Sequence, residues 1–170
     1  MPKIKALLIA TAAICVCGAS AQATPYTDKA NSYALELPAD WQTKTDPIVT
    51  MVAVPGDLIK EVNAFPNIKV VARAMPAGHT LDSLCDTSIK QWGPIWKVLS
   101  DKHITTGKTV TRRLELEQTI PIANQKTRVL KAFAVGSDKY YIISCSDKPE
   151  NFEKSKASFE AVIDSLKLSQ

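Results

Sequence analysis

Residues 109–120 read TVTRRLELEQTI and lie within a series of four segments that resemble β-strands. Leu114 and Leu116 alternate with Glu115 and Glu117, which is the period-two pattern of a strand with one apolar and one polar face. Similar segments are found at residues 96–105, 127–135 and 140–145, and short turn-forming stretches join all four. The sequence therefore predicts an antiparallel meander over residues 96–145.

A helix is predicted on each side of this meander. Between Thr80 and Trp92 the apolar residues recur on one helical face, Thr80 is a candidate N-cap, and Gly93 ends the pattern. Between Pro149 and Leu166 the apolar residues again recur at helical spacing, and proline is tolerated in a first helical turn. Both segments are expected to be amphipathic helices that pack on the sheet.

Three shorter strands are predicted before the first helix, at residues 33–37, 48–54 and 68–72. Residues 24–32 are polar and lack a clear period, so we expect a short leader there, followed by a single domain over residues 33–170. The order of elements predicts an α+β fold with a central antiparallel β-sheet flanked by helices. The composition agrees, because 45% hydrophobic and 22% charged residues exclude a disordered, collagenous or polytopic membrane chain.

The N-terminus has the pattern of a secretory signal peptide. Lys3 and Lys5 precede an uncharged apolar run over residues 6–18, and Ala19-Ser20-Ala21 supplies the small residues of a cleavage site. We therefore predict a cleaved signal peptide over residues 1–21, with a second possible cleavage after Ala23. The apolar run is shorter than the roughly 20 residues that span a bilayer as a helix.

Lipid anchoring is not expected. Cys15 and Cys17 follow Ile14 and Val16, whereas a lipidated cysteine follows a small residue, and the predicted cleavage removes both. The sequence thus predicts an exported protein without a stable membrane anchor, located in the periplasm or, alternatively, secreted.

Three motifs carry a resemblance to a known family. They are Tyr33-x-Leu35-x-Leu37-Pro38-x-x-Trp41, then FPNIKV at residues 65–70, then YYIISC at residues 140–145 leading into the last helix. Their order and spacing resemble the PsbP-like superfamily, which includes the PsbP, Mog and DcrB proteins. The resemblance spans roughly residues 33–168, and with the predicted export signal the chain is closest in character to exported DcrB-like proteins.

This resemblance implies a PsbP-like α/β/α sandwich and a role in binding other macromolecules. We expect a non-enzymatic accessory protein that engages an envelope or secreted protein. The alternative is a carrier that holds a small apolar ligand or lipid between the sheet and the helices. A protein partner requires an exposed aromatic and basic patch, whereas a carrier requires a deep apolar pocket.

Cys85 and Cys145 are the cysteines that remain after the predicted cleavage. Because exported proteins fold in an oxidising compartment, a disulfide between them is the favoured interpretation, and it would close a loop of about 60 residues. The alternative is a pair of buried free thiols that pack as small hydrophobic groups.

A basic surface is the candidate binding site for the partner. Between positions 97 and 139 the sequence has nine Lys or Arg residues and only four acidic residues. Five of these basic residues lie on adjacent predicted strands, and Trp96 is the tryptophan to test for exposure. The candidate set is Trp96, Arg112, Arg113, Lys126, Arg128 and Lys131. A solvated sheet face explains the same charges. Trp41 and Trp92 are expected in the core.

Other chemistries lack support in the sequence. His79 and His103 have no metal-ligand spacing, and Ser144 and Ser146 lack the Gly-x-Ser-x-Gly elbow of a hydrolase. No cofactor motif is found, and no contiguous basic run with interleaved aromatic residues indicates nucleic-acid binding. We therefore expect neither an enzyme nor a cofactor or nucleic-acid-binding protein.

Overall fold

The computed structural model describes residues 23–120 and 125–169. The predicted signal peptide lies outside the described residues. In chain order, the helices and strands of the described residues are β1 (Thr24–Asp28), β2 (Tyr33–Leu37), β3 (Trp41–Lys44), β4 (Met51–Pro55), β5 (Asn67–Ala74), α1 (Leu81–Trp92), β6 (Trp96–Thr106), β7 (Thr109–Ile120), β8 (Gln125–Val135), β9 (Lys139–Asp147), α2 (Pro149–Asp164) and β10 (Lys167–Leu168).

A seven-stranded sheet forms the centre of the fold. Its spatial order is β3-β4-β5-β9-β8-β7-β6, and every pair of neighbours is antiparallel. The meander from β6 to β9 and the two helices confirm the predicted α+β class. In this order β6 is an edge strand, with β7 as its neighbour in the sheet.

A second sheet of three strands has the order β1-β2-β10. Residues 24–28 form β1, which pairs with β2 from Thr24 opposite Leu37 to Asp28 opposite Tyr33. The prediction of a leader over residues 24–32 is therefore wrong. The sequence pattern does not reveal this strand, because its side chains are exposed or half-buried and no apolar residues alternate along a buried face.

The two helices pack on opposite faces of the seven-stranded sheet. Side chains alternate between faces along a strand, and the paired residues Leu130 and Cys145 project toward the core that holds Phe159 of α2. Val129 and Leu116 project from the other face, where they pack with residues of α1. We call these two sides the α2 face and the α1 face.

Helix α1 begins as the sequence predicts. The Thr80 Oγ1 atom accepts a hydrogen bond from the Ser83 N–H at 3.2 Å, and Ser83 Oγ accepts one from the Thr80 N–H at 2.8 Å. These reciprocal bonds form a capping box that satisfies two backbone donors. Gly93 follows the helix with a φ of 65°, a conformation that glycine adopts without strain.

Candidate functional site

Arg112 and Arg113 are consecutive on β7, so their side chains leave the sheet on opposite faces. On the α1 face, Arg112 lies 2.7 Å from Asp101 Oδ2, 2.8 Å from Asp86 Oδ1 and 3.3 Å from Asp82 Oδ1. The hydrogen bond from the guanidinium lowers the pKa of Asp101. Because Asp82 and Asp86 lie on α1 and Asp101 lies on β6, Arg112 connects the helix to the edge of the sheet.

On the α2 face, the side chain of Arg113 is only 5% exposed. Its Nη2 atom donates to Asp164 Oδ1 at 2.7 Å, at the end of α2. Glu115 accepts hydrogen bonds from Arg128 and, at 2.7 Å, from Lys156 of α2. These ion pairs attach the second helix to the sheet.

The predicted basic surface is therefore divided between the two faces. Arg112 and Lys131 project from the α1 face, and Arg113, Lys126 and Arg128 project from the α2 face. The three arginines are paired with acidic side chains, while Lys126 is 59% exposed and lies 3.6 Å from a carboxylate of Glu117. The expectation that these five residues share one surface is wrong, because neighbouring positions on a strand point to opposite sides.

Lys131 and Trp96 are the two candidate residues that the structure does bring together. The Lys131 Nζ atom lies 4.2 Å from the ring centre of Trp92 and 4.7 Å from that of Trp96. The two tryptophan rings are 5.4 Å apart and half-buried. Burial lowers the pKa of Lys131 to about 8. Within the described residues no carboxylate pairs with this ammonium group, so the aromatic rings stabilise its charge by cation–π contact.

Beside this cluster, the start of β6 and the residue just before it expose apolar side chains. We define the edge patch as Ile95, Trp96, Val98 and Leu99. Ile95, Val98 and Leu99 are each 39% exposed, and the pairing register of β6 shifts between Val98 and Ser100. An irregularity of this kind is common at sheet edges and changes the direction of the side chains around it. The edge patch therefore combines an aromatic ring, three exposed aliphatic side chains and a strand edge.

Cys85 and Cys145 are both free and buried. Cys145 packs in the core of the α2 face, and Cys85 packs in the core of the α1 face. The sheet lies between the two sulfur atoms, so the predicted disulfide is wrong. Burial raises the pKa of the Cys85 thiol to about 11 and raises that of Cys145 further, so neither cysteine is an activated nucleophile.

The histidines make local contacts. His103 Nε2 lies 2.7 Å from Asp82 Oδ1, and His79 Nδ1 lies 3.3 Å from Ser83 Oγ. Over residues 23–120 and 125–169, no three His, Cys, Asp or Glu side chains are grouped closely enough to hold a metal ion. Across the same residues, none of the helices has both the length and the apolar character needed to cross a membrane.

The family is decided by a match over most of the chain. The family model of PsbP matches residues 21–168. The chain belongs to the PsbP family. This confirms the resemblance drawn from the three sequence motifs, and it extends that resemblance to include β1. A comparison with curated proteins finds no match.

Three solved structures have a similar fold. Cyanobacterial PsbP (CyanoP) from Synechocystis sp. PCC 6803 matches with a TM-score of 0.67 and 16% identity, covering 91% of this chain and 96% of that chain. LpqN, involved in cell envelope biogenesis of Mycobacterium tuberculosis, matches with a TM-score of 0.59 and 9% identity, covering 87% and 86%. A Pseudomonas aeruginosa protein of unknown function, a putative regulator, matches with a TM-score of 0.55 and 10% identity, covering 88% and 99%. At these identities the likeness concerns the fold.

Sequence reasoning missed the acidic partners of the arginines. Asp82 and Asp86 are four residues apart and therefore lie on one face of α1, a spacing that is visible in the sequence. It marks an acidic helix face suited to a basic strand. The position of Asp164 opposite Arg113 has no such local signal, because it depends on how the end of α2 docks on the sheet.

Proposed function

We propose that this chain is an exported, non-enzymatic accessory protein of the cell envelope that binds an extended segment of a protein partner along β6. The observation that carries the proposal is the edge patch on an eleven-residue edge strand. Edge strands present unpaired backbone N–H and C=O groups, and these recruit a further strand from a partner. The exposed aliphatic side chains supply the apolar contacts that such pairing needs.

Trp96 supports the same proposal. Tryptophan is enriched among the residues that contribute most to binding at interfaces. Its ring is held by Trp92 and Lys131, so it is already ordered before a partner arrives. A preordered aromatic side chain loses little conformational freedom on binding, which favours affinity.

The cellular role and location are also proposals. The signal-peptide pattern supports export to the periplasm, and one protein of the same fold, LpqN, is involved in cell envelope biogenesis. We further propose that the chain has the α/β/α sandwich of PsbP-like proteins, since α1 and α2 pack on opposite faces of one sheet.

Site-specific photocrosslinking in the native cells tests the binding surface. A photoreactive phenylalanine analogue is placed at Val98 in the edge patch and, as a matched control, at Ile48, which is 76% exposed in the loop before β4. We expect a discrete crosslinked protein from position 98 that is absent from position 48. Adding Leu99→Asp to the chain labelled at position 98 should remove that product, because a carboxylate disfavours an apolar interface.

The controls separate binding from folding. Leu99 is partly exposed, so Leu99→Asp should leave the far-ultraviolet circular dichroism and the melting temperature nearly unchanged. Equal crosslinking from both positions, or a product that persists with Leu99→Asp in a folded chain, would contradict the assignment of β6 as the binding edge. Purification of the protein with an extractable apolar molecule and no crosslinked partner would favour a carrier instead.

A further inference from the structure

Two lysines of the edge strand lie where the proposed partner segment would bind. Lys97 and Lys102 belong to β6, and both are exposed. Over residues 23–120 and 125–169 neither lysine forms an ion pair, whereas the arginines of β7 and β8 all do. Their ammonium groups can therefore bind a carboxylate without first breaking a contact that holds the fold together.

The register shift in β6 places both lysines on the same face of the sheet. Lys97 and Lys102 are five residues apart, and an odd spacing puts two side chains on opposite faces of a regular strand. The shift inserts one extra residue between them, so Lys97 lies opposite Glu117 and Lys102 lies opposite Arg113. Directly paired residues project to the same side, and Arg113 projects from the α2 face. Both lysines thus project from the α2 face, roughly 14 Å apart along the strand.

Two acidic side chains on the α2 face lie close to these lysines but do not bind them. Glu117, opposite Lys97, lies 3.6 Å from Lys126 instead. Glu160 of α2 lines the same small pocket as Lys102 and forms no ion pair with it. In the part of the chain that the structure describes, both ammonium groups therefore keep their hydrogen-bond donors available to a partner.

The α1 face of β6 has a different character. Trp96 and Val98 project from this face, as their pairing with β7 shows. The acidic side chain of the strand, Asp101, also projects to this side, where Arg112 holds it at 2.7 Å. A strand added to β6 would therefore meet apolar side chains on one face, at the edge patch, and ammonium groups on the other.

We propose that the segment bound along β6 is an extended acidic and apolar strand, with acidic side chains opposite Lys97 and Lys102 on one face and apolar side chains beside Trp96 on the other. This inference rests on the proposed function, because it describes the partner that β6 recruits. Opposite charges at directly paired positions stabilise an antiparallel sheet, and like charges destabilise it. Backbone pairing gives affinity to many sequences, so the side-chain contacts select the partner.

Photocrosslinking in the native cells from position 98 tests the charge pattern. Lys97→Glu and Lys102→Glu are introduced together into the labelled chain. The control is Lys29→Glu with Lys108→Glu, which changes the net charge equally at exposed lysines in turns away from the edge patch. Each reversal at the edge turns a favourable pair into a repulsive one, so we expect the yield of crosslinked product to fall about tenfold. The control should leave the yield unchanged.

The crosslinked peptide reports the chemistry of the partner directly. Mass spectrometry should place the attachment in a segment that has Asp or Glu at alternate positions and lacks Lys and Arg. Changing those acidic residues of the partner to lysine should then restore the product with the chain that carries Lys97→Glu and Lys102→Glu. A loss of folding in that chain would not be reversed by a change in the partner.

The outcomes separate this inference from the proposed function. A wild-type product that persists with Lys97→Glu and Lys102→Glu would overturn the acidic character of the partner and leave β6 as the binding edge. Equal losses in the edge and control variants would have the same meaning, because net charge would then explain them. The absence of any product from position 98 in the wild-type chain would overturn both proposals.

A milder pair of variants covers the case in which charge reversal disturbs folding. Lys97→Glu places a carboxylate opposite Glu117, so its melting temperature is compared with that of the wild type. If the chain with Lys97→Glu and Lys102→Glu does not fold, Lys97→Gln with Lys102→Gln takes its place. We expect a loss of about threefold in yield with the glutamine variants. An unchanged yield would overturn the inference.

Discussion

Replacing Glu115 with glutamine should destabilise the fold, because this carboxylate joins two cations at the contact between β7, β8 and α2. Arg128 and Lys156 both donate to it, the latter at 2.7 Å. Glutamine preserves the size and one oxygen of the side chain but removes its charge. The guanidinium of Arg128, which lies over the Phe152 ring 5.0 Å from its centre, would keep only the exposed carboxylate of Glu153, 3.7 Å away, as an anionic partner.

The size of the effect follows from the exposure of the three side chains. Glu115 is 12% exposed, Arg128 is 22% exposed and Lys156 is 31% exposed. Breaking a fully buried ion pair costs about 3–5 kcal/mol, and a fully exposed pair contributes about 0–1 kcal/mol. Because water reaches both cations in part, we expect Glu115→Gln to lower the free energy of unfolding by about 2 kcal/mol at neutral pH.

The effect should depend on pH in a defined direction. Burial alone would raise the pKa of Glu115, but the hydrogen bonds from Lys156 and Arg128 outweigh burial and lower the pKa below its ordinary value. The charged carboxylate therefore adds stability that is fully present above the pKa of the unfolded chain and is lost as pH falls through the pKa of the folded chain. Below that value the wild type carries a neutral Glu115, so the difference from Glu115→Gln should disappear.

Urea denaturation followed by circular dichroism, at a series of pH values from neutral to strongly acidic, measures this difference directly. Glu117→Gln is the matched control, since Glu117 is two residues along the same strand face and its partner Lys126 is 59% exposed at 3.6 Å. The control should change the free energy of unfolding by about 0–0.5 kcal/mol. Equal losses for the two variants, or a loss at Glu115 that is constant with pH, would refute the assignment of a partly buried ionic bridge.

Two further predictions concern the cysteines and the start of α1. Cys85 and Cys145 should resist alkylation in the folded protein and react fully in urea, as free buried thiols do, and a disulfide-linked peptide in a non-reducing digest of the exported protein would contradict this. Thr80→Ala should lower the free energy of unfolding by about 1 kcal/mol through loss of the N-cap. Thr87→Ala, at an exposed position inside the same helix, should give no loss in the same urea titration.

The meander and both helices could be predicted from the sequence because their signals are local. The alternation over residues 109–120 and the turns around it are contained in the segments themselves, and β7 has those bounds in the structure. Strands β3 and β10 have only four and two residues, too few for a pattern to emerge. They form because longer strands offer them an edge, as when Lys167 pairs with Ala34 of β2. Contacts between distant parts of the chain thus decide the elements that a pattern search misses.

In the candidate site, too, local features could be predicted from the sequence, whereas contacts between distant residues could not. Strand alternation correctly places Cys145 on one face with Tyr141 and Ile143. It does not reveal that α1 packs on the other face, and this is why the expected disulfide with Cys85 fails. Likewise, the basic charge of β7 and β8 is evident from the sequence, but the ion pairs of Arg112 and Arg113 with acidic residues of the helices appear only in three dimensions.

The pairing of the arginines determines which surface remains for a partner. Arg112 and Arg113 are consecutive on β7, and each binds acidic residues of a different helix, so this one strand anchors α1 and α2 from opposite faces. Recruiting these guanidinium groups to a partner would first break the ion pairs that hold the helices. The apolar side chains of the edge patch make no ion pairs with the helices, so a partner can contact them without breaking such pairs. Under the proposed function, recognition therefore depends on apolar contact and backbone pairing along β6, and the basic residues act by holding that edge in place.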